Sequence, residues 1–234
     1  MYIKITTKCN MYCAHCCFAS SPIGKHMPFE MFKVVMGKWG AQLYQTNNYI
    51  VIGGGEPTLH PDFWKIVNYS LEYGHPWICT NGKRTNDALR LAQLAKNGTL
   101  TAVLSLDKWH EPIEQCVISA FTIGMRKKKM PWGEEGVSKE KGDNRGIRTM
   151  AIFYKNGRGY STGIDGCCCK QIQVQPTGII TMCGCDDAPV IGSVENGFFE
   201  QYKDIPWKGI CHKTYNKPNI NFPLLKAFIN FLKG

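Results

Sequence analysis

No run of apolar residues in this chain approaches the ~18 needed to cross a bilayer, so a spanning helix is excluded. The opening M-Y-I-K-I-T-T-K lacks a basic stretch followed by an apolar one, which argues against a secretory signal and for the cytoplasm. No internal repeat or low-complexity tract occurs, which sets aside solenoids and fibrous folds. Carboxylates are scarce, 18 against 28 Lys and Arg, and the resulting net charge of +10 points to an anionic partner. Arg126 to Lys129 concentrate that charge, either closing a helix, where cations suit the dipole, or forming a binding patch.

What is present is length and cysteine. With 234 residues the chain can bury a substantial core without staples. Twelve cysteines in a reducing compartment read as metal ligands before disulfides.

From residue 1 to about 155, β-rich runs alternate with amphipathic stretches. Strands are expected over Tyr2 to Thr7, Tyr49 to Gly53, Trp77 to Thr80, Ala102 to Asp107 and Ile147 to Tyr154. Helices are expected over Pro28 to Gln42, Pro61 to Tyr73, Asn86 to Lys96 and Pro112 to Lys129. This order implies an α/β fold with a parallel sheet, open or curled into a barrel. Residues 131–146, rich in Gly and charge, read as a mobile loop and a lid. After Tyr160 come short strand-like pieces and six cysteines, marking a second module. The expected division is 1–160 and 161–234.

Cys9, Cys13 and Cys16 follow the first strand, at the sheet edge where parallel α/β folds place their sites. Zinc usually takes four ligands in two pairs, whereas this loop offers three thiols at x3 and x2 spacing. A [4Fe–4S] cluster on three thiolates keeps one iron open for another ligand.

Cys9-x3-Cys13-x2-Cys16, joined by G-G-G-E-P at Gly53 to Pro57 after the second strand, resembles the radical S-adenosylmethionine (SAM) enzymes. The resemblance implies a partial (β/α)6, TIM-like barrel, a [4Fe–4S] cluster on these cysteines, and SAM chelating the open iron. It implies an electron donor such as flavodoxin or ferredoxin, and cleavage of SAM to a 5′-deoxyadenosyl radical that abstracts hydrogen from substrate. Gly54, Gly55 and Glu56 would then hold the SAM amino group, where close backbone approach wants glycine and an ammonium wants a carboxylate. Asn81 in T-N-G, Ser105 and Asp107 in S-L-D, and His15 against adenine complete the implied SAM contacts. Cys17 exceeds the motif, and N-G-R-G at Asn156 to Gly159 either borders adenine or makes a plain turn.

The second cysteine set resembles SPASM and twitch modules, a small hairpin plus helix, through Gly178-x4-Cys183 and its flanking cysteines. That implies one auxiliary [4Fe–4S] cluster on Cys168, Cys183, Cys185 and Cys211, with Cys167 or Cys169 as substitutes for Cys168. A structural zinc site is the competing reading. For substrate, the positive charge favours a nucleotide, modified base or nucleic acid, with Trp109, His110, Trp132 and Trp207 as stacking surfaces. Peptide modification is the alternative, set second because Cys9 leaves no room ahead for a leader-binding domain. A non-catalytic metal-binding protein that grips nucleic acid is the reading from another class, and it leaves G-G-G-E-P unexplained.

Overall fold

The structure, a computed structural model, describes residues 1–130, 133–138, 140–149, 152, 154–165 and 171–203. Strand β1 (Tyr2–Thr6) alternates so that Ile3 and Ile5 are sealed against helices while Tyr2 and Lys4 face the other side. Helix α1 (Phe29–Asn47) buries Phe32, Val35, Met36, Trp39 and Leu43, a stripe at helical spacing. It stops where Asn48 turns left-handed at φ 59° and its N–H returns to the Tyr44 carbonyl.

The pattern repeats through β2 (Ile50–Gly54), α2 (Phe63–Leu71), β3 (Pro76–Thr80), α3 (Thr85–Lys96), β4 (Thr101–Ser105) and α4 (Gln115–Thr122). Three further strands follow, β5 (Met125–Met130), β6 (Gly133–Ser138) and β7 (Arg145–Arg148). Beyond them lie β8 (Gln173–Val174), β9 (Ile179–Thr181), β10 (Val190–Ser193) and β11 (Gly197–Phe198).

One sheet runs β11-β10-β9-β8-β1-β2-β3-β4-β7-β6-β5. Within it β8, β1, β2, β3, β4 and β7 are mutually parallel, and antiparallel strands extend both flanks. Among the described residues the ends of the row do not pair with each other, so the parallel part is a partial barrel rather than a closed one. Its carboxyl edge gathers the segments after β1, β2, β3 and β4.

Three expectations are corrected. The helix over Pro112 to Lys129 ends at Thr122, because Gly124 at φ +82° breaks it, and Arg126 to Lys129 lie in β5. Residues 131–146 are not one loop: β6 pairs with β5 and with β7, setting Lys127 opposite Gly136 and Gly136 opposite Ile147. The part of the chain expected to form a second module carries more than a hairpin, since β8 to β11 form a meander whose first strand pairs with β1. The expected helix of that module is represented among the described residues only by a 3-10 turn at Glu200–Tyr202. Among the described residues no helix is long and apolar enough to cross a membrane.

Candidate active site

The segment after β1 is held as a loop by main-chain bonds to its return limb. Thr7 N–H donates to Lys25 O at 2.9 Å and Cys9 N–H to Ser21 O at 2.8 Å. Within it, Cys16 N–H donates to Cys13 O at 3.1 Å. Cys9 is buried, while Cys13 and Cys16 are half-buried. Burial pushes the Cys9 thiol up to about 11, helped by the negative charge of Glu56, Cys16 and Cys13 nearby. Three thiols and a carboxylate thus converge.

That donor set suits a metal cluster. Thiols that repel one another as anions are held deprotonated when a cationic inorganic core lies among them. Zinc chemistry would ask a fourth protein ligand of the loop, and Cys17, the adjacent thiol, is half-buried beside it.

The glycines at the end of β2 do something the sequence did not suggest. A Cβ on Gly54 would stand 2.0 Å from Thr6 O, and one on Gly55 2.1 Å from Lys8 O. Here glycine lets the β2 turn lie directly against the root of the cysteine loop. Gly55 N–H donates to Thr6 O and Glu56 N–H to Lys8 O, at 2.9 and 2.8 Å.

Glu56 is buried beneath this contact. Its Oε1 accepts from Thr58 N–H (3.2 Å), Thr58 Oγ1 (2.7 Å) and Thr80 Oγ1 (2.8 Å), and Oε2 accepts from Asn81 N–H at 2.7 Å. Burial still outweighs these donors and raises the carboxyl above its ordinary value. A buried carboxylate left short of compensation favours a cationic ligand at its less occupied oxygen, Oε2.

Asn81 joins both parts of the site. Its Nδ2 donates to Asn10 Oδ1 at 2.9 Å and points to Cys9 Sγ at 3.7 Å. Beside it opens a cavity of about 170 Å³ lined by Asn81, Ser105, Asp107, His110, Glu111 and Ile113. Lys83 pairs with Glu111 at its rim. Ser105, expected at the cofactor, lies with Oγ 3.1 Å from Cys79 Sγ.

Asp107 and His15, the other expected contacts, meet each other: His15 Nε2 is 3.7 Å from Asp107 Oδ2. His110 completes the group, with Nδ1 2.9 Å from Asp107 Oδ1 and its ring edge-on to His15 at 5.2 Å. Burial alone would lower His110, but its bonds to Asp107 and Cys13 win and lift it to about 10. Burial lowers His15 instead, outweighing the attraction of Asp107. The ligand atoms of His15, Asp107 and His110 lie within 4.8 Å of one another, close enough for one metal ion as an alternative to their mutual pairing.

Of the second cysteine set, Cys183 and Cys185 are buried on the turn after β9. Gly178 makes the β8–β9 turn at φ +82°, donating N–H to Gln175 O at 2.9 Å. Cys167, Cys168, Cys169 and Cys211 lie outside the described residues. Sequence reasoning missed Asn10 and the partnership of His110 with Cys13, and took His110 for a stacking surface. The only signal was its i+3 spacing from Asp107.

A match to the Radical SAM superfamily covers residues 3–121, just over half of the chain. The chain belongs to the radical SAM superfamily. Membership makes it an enzyme and implies a [4Fe–4S] cluster, SAM and a reductant. The chain is 32% identical over 129 residues to Mycofactocin maturase MftC of Mycobacterium ulcerans (strain Agy99), a stretch covering 52% of this chain and 32% of that protein. Against Mycofactocin maturase MftC of Mycolicibacterium smegmatis (strain ATCC 700084 / mc(2)155) it is 32% identical over 117 residues, 49% of this chain and 29% of that one. The match thus spans about a third of the length of these relatives. The fold is shared with the crystal structure of BtrN in complex with AdoMet and 2-DOIA, at a TM-score of 0.56 and 16% identity over 83% of this chain and 77% of that one.

Proposed function

We propose that this radical SAM enzyme modifies a peptide, with Cys9, Cys13 and Cys16 as cluster ligands and the cavity beside Asn81 as the cofactor pocket. The observation that carries the site is the convergence of the three thiols with Glu56 at the carboxyl edge of β1 and β2. Held by Cys9, Cys13 and Cys16, a cluster would supply, with SAM, the one-electron chemistry needed to activate an unactivated C–H bond.

The chain's own residues bind and orient. Asn81 donates toward Cys9, and His110 holds a proton between Asp107 and Cys13. Glu56 Oε2 would take the SAM ammonium, and the Gly54–Gly55 contact fixes where that oxygen stands. Flavodoxin or ferredoxin is the proposed reductant. Residues 161–234 are proposed as an auxiliary module on the 1–160 barrel, with a second cluster on Cys183, Cys185 and partners outside the described residues.

A peptide is favoured over a nucleotide because the curated relatives are named maturases. The features that spoke for a nucleotide have less support. The basic run lies on β5 at the end of the sheet, with five strands between it and β1. Trp109 is exposed under Lys108, while Trp132 and Trp207 lie outside the described residues.

The test is SAM cleavage by anaerobically reconstituted protein with dithionite. Wild type yields 5′-deoxyadenosine, and Cys13→Ala yields none because two thiolates do not retain the cluster. Glu56→Gln keeps the cluster's absorbance and weakens SAM binding by roughly 1.5–3 kcal/mol, the range for a hydrogen bond to a charged group. Cleavage persisting in Cys13→Ala defeats the ligand assignment. Deuterium appearing in 5′-deoxyadenosine from labelled nucleotides, and not from peptides, defeats the substrate assignment.

A further inference from the structure

Residues Asn156 to Gly159 lie far along the chain from the first cysteines, yet their backbone rests directly on the cysteine loop. Gly157 turns at φ +55°, and a Cβ there would stand 2.4 Å from Cys16 O and 2.7 Å from the Cys17 carbonyl carbon. Only glycine permits that approach. Arg158 N–H donates to Cys16 O at 3.0 Å. The Arg158 side chain then reaches along the loop, Nε donating to Cys13 O at 2.8 Å and Nη1 to Ser20 O at 2.5 Å. Its guanidinium lies 4.0 Å over the Tyr12 ring.

Asn156 faces two ways. Its Nδ2 donates to Cys17 O at 2.5 Å and to Gly184 O at 3.2 Å, and its Oδ1 accepts Asp186 N–H at 2.8 Å. Asp186 returns the contact, Oδ2 accepting Gly157 N–H at 2.8 Å. One buried amide therefore satisfies carbonyls from the loop of Cys9–Cys17 and from the turn of Cys183–Cys185.

We propose that the Asn156–Gly157–Arg158 turn is a strap that locks the two cysteine-bearing segments into one unit, and that the charge of Arg158 sets the reduction potential of the cluster on the first. The second half rests on the reading that Cys9, Cys13 and Cys16 hold that cluster. Arg158 is a positioning residue: it touches the loop's carbonyls and not the thiols. Among the described residues its guanidinium partners are carbonyl oxygens and a ring rather than carboxylates, so none of these partners cancels its charge. A thiolate cluster gains one negative charge on reduction, and a fixed cation beside it stabilises the reduced form more than the oxidised one. The cation thus makes the cluster easier to reduce.

The experiment uses the full chain, anaerobically reconstituted, as wild type, Arg158→Gln and Arg158→Lys. Potentiometric titration followed by electron paramagnetic resonance reads the cluster whose signal changes on adding SAM. Arg158→Gln is expected to move its midpoint to more negative potential, with Arg158→Lys, which keeps the charge, near wild type. A wild-type midpoint in Arg158→Gln overturns the charge role. If Arg158→Gln takes up no iron, Arg158→Lys decides: a midpoint near wild type supports the role and a large negative shift overturns it. The strap is read separately by hydrogen exchange of the apoprotein. Asn156→Ala is expected to speed exchange of the Cys16 and Ala19 amides and of the Asp186 amide together. Faster exchange in one segment alone overturns the strap. A wild type that binds no redox-active cluster at the loop defeats the ligand reading instead, and the apoprotein exchange still tests the strap.

Discussion

Asp107 Oδ1 stands 2.9 Å from His110 Nδ1, and the same imidazole interacts with Cys13, so one ring connects the segment after β4 to the cysteine loop. The pair has a defined pH window. His110 is lifted from 6.5 to about 10, so the stability it contributes is full below pH 6.5 and is lost as pH rises toward 10. Asp107 is lowered from 3.8, its hydrogen bond and charge attraction to His110 outweighing burial. Its contribution is present above pH 3.8 and is lost as pH falls through the folded value.

The expected outcome concerns the anaerobic apoprotein, unfolded in urea at pH 6, 7.5 and 9 alongside His110→Gln. The stability difference between the two chains should shrink steadily as pH rises over that range. Taking the difference removes the Cys9 thiol, lifted to about 11, which changes alike in both chains. A difference that stays constant with pH would mean that His110 carries no extra proton in the fold.

Two glycines should respond in opposite directions. Alanine at Gly55 puts its Cβ 2.1 Å from the Lys8 carbonyl oxygen and 2.6 Å from the carbonyl carbon, both main-chain atoms that cannot swing aside. Forcing β2 away from the cysteine loop is expected to cost at least about 1–3 kcal/mol. Gly37, on the exposed side of α1, has nothing within 4 Å of its Cβ position. Gly37→Ala is expected to stabilise by about 0.4–1 kcal/mol, through helix propensity and a less flexible unfolded chain. Urea midpoints of the two variants check both signs, and a neutral Gly55→Ala would refute the close contact.

The first four strands and three helices were legible because each carries a local signal, such as the Ile3 and Ile5 alternation or the Phe32 to Leu43 stripe. Their order alone orients the sheet, which is why Cys9 and Glu56 were expected at one edge. What stayed illegible depends on partners distant in sequence. Met125 to Met130 is a strand because β6 pairs with it, and Gly124, which ends α4, was there to be read as the stop. The same holds for the site. G-G-G-E was legible as a cofactor contact, whereas its packing on Thr6 and Lys8 requires coordinates. N-G-R-G had two open readings, and neither anticipated Asn156 joining Cys17 to Gly184.

The proposed auxiliary cluster yields the last expected outcome. Cys183 and Cys185 are both buried on a turn fixed by Thr181 Oγ1 donating to Cys183 O at 2.9 Å and by Met182 N–H donating to Pro189 O at 3.0 Å. Buried structural thiols are inert, so metal content separates a ligand role from a packing role. If the proposed second cluster forms, wild type binds about eight irons, as two [4Fe–4S] clusters. Replacing Cys9, Cys13 and Cys16 together by Ala should leave about four, and Cys183→Ala with Cys211→Ala should leave the SAM-cleaving cluster in place. The strap at Asn156 makes the losses less than fully independent, because sites that share a partner couple. Iron and zinc analysis of the variants decides. One zinc and no iron in the triple variant makes the second site structural, excludes electron relay through it, and leaves substrate binding to side chains. No metal at all in that variant means the second set holds none, and the auxiliary cluster is wrong while the chemistry of the first loop stands.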